Sequence, residues 1–143
     1  MKKIARVLFL VAVLSSSFFA EAKERPSCHV CGMWIDQYMK TRNVVIMKDN
    51  ESHDFCSFSC MVRFVKEHRD KIKKVLSADF ETKELIDAEK AFYVEGGDIA
   101  GVMSLVSRIA FETREAAEKC VKAHGGKIIS FSEAFTHQEK EQE

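Results

Sequence analysis

Residues 43–65 read NVVIMKDNESHDFCSFSCMVRFV, and a change of period inside this stretch decides the fold. Asn43 to Met47 is rich in β-branched residues and reads as a strand. Lys48 to Ser52 is polar and contains Asp49-Asn50, a turn signal. His53 to Cys56 is then the returning strand of a hairpin. From Phe58 the apolar residues recur at helical spacing: Phe58, Met61, Val62 and Val65, continuing through Ile72, Val75 and Leu76 with a break near Arg69-Asp70. Ser57 or Ser59 is placed to cap the start of that helix. Leu85-Ile86 supplies a short strand beyond it, for a ββαβ order.

The same order repeats downstream. Ala91 to Val94 reads as a strand ending at Gly96-Gly97, and Ser107 to Phe111 as its partner. Thr113 opens a helix with Ala116, Ala117, Cys120 and Val121 on one face, stopped by Gly125-Gly126. Lys127 to Phe131 is the closing strand. From Gln138 the chain is polar and acidic and reads as a frayed tail. The expected fold is therefore α+β, two small ββαβ-like units with a cysteine knuckle at the N-terminus. The units span residues 23–88 and 89–134, followed by a polar tail over 135–143.

Residues 1–22 have the layout of a secretory signal peptide. Lys2, Lys3 and Arg6 precede an eight-residue apolar run from Val7 to Leu14, and Ala20-Glu21-Ala22 is a small-residue cleavage site. The run is shorter than the roughly 18–20 residues of a spanning helix. Cys28 follows Arg25-Pro26-Ser27, which does not fit a lipid-acylation box. The expectation is an exported, periplasmic protein, soluble after cleavage, with no stable membrane anchor. The 143 residues carry 22 basic and 22 acidic side chains. Losing three basic residues and one acidic residue with the signal leaves a small negative charge. That balance argues against nucleic acid as a partner. The densest positive stretch, Lys66 to Lys74, reads as a solvated helix face.

All five cysteines lie beyond the signal, too few for the roughly 8–10% of a disulfide-built scaffold. Four of them pair by spacing. Cys28-x-x-Cys31-Gly32 is a knuckle, where glycine adopts the positive φ that turns backbone N–H groups toward thiolates. Cys56-x-x-x-Cys60 spans the end of a strand and the first turn of a helix, whose positive end favours thiolate. Together they have the form of a four-thiolate metal site. His29 and His53 are spare imidazoles near the same turns. Cys120, on an apolar helix face, reads as a buried inert thiol.

Methionines select among metals, because a thioether is a poor ligand for zinc and a good one for Cu(I). Met47 and Met61 fall on apolar faces and read as core. Met33 and Met103 belong to no clear apolar stripe and are ligand candidates. Trp34 and Tyr38 flank the knuckle, where aromatic rings would shield Cu(I) from oxidation.

At this point the chain resembles the NosL family of nitrous oxide reductase accessory proteins. The matching residues are Cys28-His29-Val30-Cys31-Gly32-Met33, Asp54-Phe55-Cys56-Ser57 leading to Cys60-Met61, Ile86-Asp87-Ala88 with Ala91-Phe92-Tyr93-Val94, and Gly101-Val102-Met103. The likeness runs from about Cys28 to Ala134, and the first half is also similar to TRASH/YHS metal-binding modules. The resemblance implies a Cu(I)-binding protein that delivers copper to a periplasmic copper enzyme, nitrous oxide reductase, with a copper exporter as a possible source. The family is commonly lipid-anchored, whereas this chain lacks the acylation cysteine. The Cys56/Cys60 pair also goes beyond a minimal cysteine-and-methionine copper site.

Three readings follow. In the first, Cys28, Cys31 and Met103, with Met33, hold a low-coordinate Cu(I) for ligand exchange. In the second, Cys28, Cys31, Cys56 and Cys60 close a structural zinc site. In the third, Cys28-x-x-Cys31 is a thiol–disulfide redox pair, although no thioredoxin-like context surrounds it. An enzyme is not expected, since neither Gly-x-Ser-x-Gly nor His-Glu-x-x-His occurs. His68, His124 and His137 read as helix-face residues.

Overall fold

The computed structural model describes residues 25–143. The expected signal segment, 1–22, lies outside them. Strand β1 (Asn43–Met47) turns through Asn50, which takes a left-handed φ of 70°, into β2 (Ser52–Phe55). The hairpin register sets Val45 opposite His53. On its other edge β1 pairs with β3 (Ile72–Ala78), Val45 opposite Val75, and β4 (Leu85–Asp87) completes an antiparallel sheet in the order β2-β1-β3-β4. Helix α1 (Phe58–His68) buries Phe58, Met61, Val62, Phe64 and Val65.

One expectation is corrected here. The helical period does not extend to Leu76. The helix stops at His68, a 3-10 turn covers Arg69–Lys71, and Ile72, Val75 and Leu76 lie in β3. The second edge of β1 would otherwise leave its backbone donors and acceptors unpaired, and that tertiary demand outweighs a local spacing compatible with helix.

The second sheet is β6-β5-β7, again antiparallel, built from β5 (Phe92–Glu95), β6 (Arg108–Phe111) and β7 (Lys127–Ile129). Helix α2 (Arg114–His124) is capped by the Thr113 hydroxyl, which accepts from Ala116 N–H. The expected closing strand is shorter than the sequence suggested. It ends at Ile129, and Ser130 opens helix α3 (Phe131–Glu141) through a reciprocal capping box with Glu133. The polar tail expected over 135–143 is therefore mostly helix. Ala134 and Gln138, one turn apart, are fully buried, and Phe131 and Phe135 pack on the core. The polar side chain of Gln138 hides this apolar face from a reading of hydropathy alone.

One core spans both units, and a second, smaller cluster of Val94, Ile109, Phe111, Ala117 and Cys120 lies within the second. Tyr93 on β5 is buried among Phe58, Phe131 and residues of the first sheet. Its hydroxyl is 2.7 Å from Ser77 Oγ, which donates to Asn43 Oδ1. Burial pushes the Tyr93 phenol up, so it stays neutral. Asp79, just after β3, accepts from the backbone N–H groups of Glu81, Thr82 and Glu112, the last on the far side of the junction. Burial opposes its charge, but those donors outweigh it and hold the carboxyl below its usual range. Among the described residues, no helix is long and apolar enough to cross a membrane.

Candidate metal centre

Three short stretches converge on one point. The knuckle is closed by its own backbone: Cys28 N–H donates to Met33 O at 2.7 Å and Gly32 N–H to Cys28 O at 2.9 Å. Gly32 takes a φ of 77°, a conformation costly for other residues. His29 N–H donates to Asp54 O, which ties the knuckle to the end of β2. Cys56 follows β2 directly, and Thr41 Oγ1 donates to its carbonyl oxygen at 2.7 Å. Cys60 lies in the first turn of α1, where Ser57 is the N-cap and accepts from Cys60 N–H.

The result is a group of four thiols, Cys28, Cys31, Cys56 and Cys60, whose sulfur atoms all lie within 4.8 Å of one another. Cys31 Sγ is 3.4 Å from Cys56 Sγ, and Cys56 Sγ is 3.9 Å from Cys60 Sγ. A tetrahedral thiolate site with metal–sulfur bonds of about 2.3 Å has sulfurs about 3.8 Å apart. The donor set thus fits a soft or borderline cation with little rearrangement. Cys28, Cys56 and Cys60 are buried, whereas Cys31 is partly exposed. Among the described residues, Cys31 is thus the member of the group nearest the surface.

Charge within the group is unequal. The Cys56 thiol donates to Cys60, and this hydrogen bond, helped by the Ser57 hydroxyl against the cost of burial, brings the Cys60 thiol down to about 5. Cys56 is pushed far up by the same bond and then by burial. Burial raises Cys31 as well, partly offset by the Met33 backbone. The hydrogen bond from Cys56 thus favours the thiolate at Cys60 over its neighbours, and thiols that keep their protons lose them to an incoming cation.

The remaining candidates divide. Met61 and Met47 are buried core residues, as the sequence indicated. Met33 ends the knuckle, with its side chain partly buried against the same core. Met103 comes from the second unit. It is 46% exposed and takes a left-handed φ of 56° on the loop between β5 and β6. Ala100, Val102 and Ser104 of that loop line a crevice together with Thr41, Ser57 and Phe58, next in sequence to Cys56. The His29 and His53 rings lie 4.3 Å apart and pack with Phe55 and Phe64. Burial, then the neighbouring His53, lowers the His29 pKa and keeps that ring neutral. Trp34 is 43% exposed, with the Arg25 guanidinium over its ring. Cys120 is buried, and burial raises its pKa. Thr41 carried no signal in the sequence, because its contact with Cys56 spans 15 positions.

Comparison with known proteins places this geometry. The family model described as NosL matches residues 20–138. The copper-binding lipoprotein NosL of Stutzerimonas stutzeri is 28% identical over 116 residues, which cover 74% of this chain and 60% of that protein. The chain therefore spans less than two thirds of that curated relative's length. The crystal structure of the copper chaperone NosL from Shewanella denitrificans matches with a TM-score of 0.67 at 25% identity, covering 80% of this chain and 93% of that one.

Proposed function

The chain belongs to the NosL family, and on that footing we propose that it is a Cu(I)-binding carrier that hands copper to a copper enzyme outside the cytoplasm. The observation that carries this reading is the convergence of four thiol sulfurs within 4.8 Å, with one of them, Cys31, reachable from solvent. Thiolate and thioether donors favour monovalent copper over harder cations. The names borne by its relatives, a copper-binding lipoprotein and a copper chaperone, support the same cargo.

The mechanism is stepwise ligand exchange. Cys60, the thiol most favoured to ionise, and Cys28 and Cys56 hold the ion from below. Cys31 is the exit ligand. A sulfur or imidazole of the receiving protein enters beside it, a bond to Cys31 is released, and the buried thiolates follow. Met33 and Met103 are the thioether candidates that keep the ion soft-ligated but weakly held during transfer. Nitrous oxide reductase is the recipient that the family resemblance supplies. A membrane copper exporter would be the source, and the periplasm the place of exchange.

One observation favours a second reading. Sulfur spacings of 3.4 and 3.9 Å bracket the value for a closed tetrahedral site, which suits structural Zn(II). Anaerobic titration with Cu(I) against a competing chelator, beside a parallel Zn(II) titration, separates the two. The carrier reading expects tight Cu(I) binding that Cys31→Ser and Cys56→Ser both weaken, and rapid loss of copper to an added copper-free recipient. A chain that unfolds on zinc removal and never releases Cu(I) to a recipient contradicts it.

A further inference from the structure

The end of α3 touches both halves of the candidate site. Gln142, directly after the helix, donates through Nε2 to the carbonyl oxygen and the hydroxyl of Ser59, at 2.9 and 3.0 Å, in the residue before Cys60. Its neighbour Glu141 accepts through Oε1 from the backbone N–H of Leu105 at 2.6 Å, two residues after Met103. Glu141 Oε2 accepts from Arg108 Nη1 at 2.8 Å. Arg108 is itself immobilised, its side chain buried and donating to Glu95 Oε2 and Gln138 Oε1.

The loop that carries Met103 is also held by Val102, which packs on the core, and by the Ser104 hydroxyl and Arg108 Nη1, which donate to the Val106 carbonyl oxygen. Leu105 is 92% exposed, so its apolar side chain packs little among the described residues. Met103 sits in left-handed backbone. Gly101 is pressed so close to the Ser104 carbonyl that a Cβ would collide with it. In a tight, strained turn whose Leu105 side chain faces outward, polar contacts to the backbone add to the packing of Val102.

We propose that Glu141 and Gln142 form a clasp that fixes the Met103 loop relative to the Cys60 thiol at the start of α1, so that the Met103 thioether is presented to a Cu(I) held by the four thiols. Both are positioning residues that touch no metal and act through Leu105 and Ser59. The inference rests on the reading of Met103 as a Cu(I) ligand, and the test separates the two.

The experiment uses the full chain under anaerobic conditions, with Cu(I) in competition against a chelator and Co(II) as an optical probe of thiolate coordination. Co(II) reports on the four thiols and makes little use of a thioether. Glu141→Ala, Gln142→Ala, Met103→Ile and the double variant Glu141→Ala/Met103→Ile are compared with the wild type. Removing a group that orients a metal ligand costs about 10-fold to 100-fold in affinity. The clasp predicts a Cu(I) loss of that order in Glu141→Ala, a smaller loss in Gln142→Ala, and no further loss in the double variant beyond Met103→Ile. It also predicts an unchanged thiolate-to-Co(II) spectrum in all four. Equal weakening of Cu(I) and Co(II) binding in Glu141→Ala means general structural damage and overturns the clasp. Wild-type Cu(I) affinity in Glu141→Ala, with Met103→Ile weakened, overturns it too and leaves Met103 as a ligand. Wild-type affinity in Met103→Ile removes the ligand reading and the clasp with it.

Discussion

The first unit gathers buried sulfurs into one group, Cys28, Cys56 and Cys60, at the end of the hairpin and in the first turn of α1. The second gathers charges: Arg108 and Glu95 across neighbouring strands, with Gln138 and Glu141 closing from α3. Burial has different consequences for the two. A thiol behaves as a small hydrophobe, tolerates an apolar setting when neutral, and becomes a ligand when a cation arrives. A guanidinium in the same setting is costly unless every donor is paired, and once paired it resists rearrangement. The first unit is thus built to change its bonding, and the second to hold still beside it.

The sharpest way to break this contrast is Arg108→Ala. It removes the cation paired with Glu141 and one of three side-chain partners of Glu95, which keeps Lys127 and His137, and chemical denaturation should show a loss of about 3–5 kcal/mol. A loss near zero would mean that the charges of the second unit hold nothing. Next comes Cys60→Ser. A four-ligand site binds with about 10–16 kcal/mol, so one ligand is worth about 3 kcal/mol, or about 100-fold in Cu(I) affinity by chelator competition. Its effect on the stability of the metal-free chain should be far smaller than that of Arg108→Ala.

Asp79→Asn probes the seam between the units. The folded carboxyl is held below its usual range, so its contribution is present above the unfolded value of about 4 and fades as pH falls through the lower folded value. The variant should lose about 2 kcal/mol at neutral pH, with the deficit closing in acid. A deficit of constant size from pH 7 to pH 2 would mean that the charge is not what matters. The smallest effect belongs to Ser57→Ala, a lost helix cap worth about 1 kcal/mol. Because Ser57 also helps hold Cys60 as a thiolate, the same variant should raise the pH at which the thiolate absorbance appears.

The sulfur chemistry of the first unit was readable along the chain, because knuckle and helix-start cysteines announce themselves by local spacing. The hairpin of β1 and β2, and α2 between Thr113 and Gly125, were equally local. The departures share one cause, contacts made across the molecule. Ile72, Val75 and Leu76 carry a helical spacing, yet β1 recruits them as its second neighbour. The last residues look like a polar tail, yet Gln138 and Glu141 are polar because they pair with Arg108, 30 and 33 positions earlier. A buried polar network is indistinguishable in composition from solvated surface. The segment that spacing treated as least structured is the one that joins the Met103 loop to α1.

X-ray absorption at the copper edge of the anaerobic Cu(I)-loaded chain tests the central claim most directly. The account predicts a scattering shell of sulfur alone, altered in Cys31→Ser and in Cys56→Ser alike. A shell dominated by nitrogen or oxygen, or one that neither substitution changes, would contradict it.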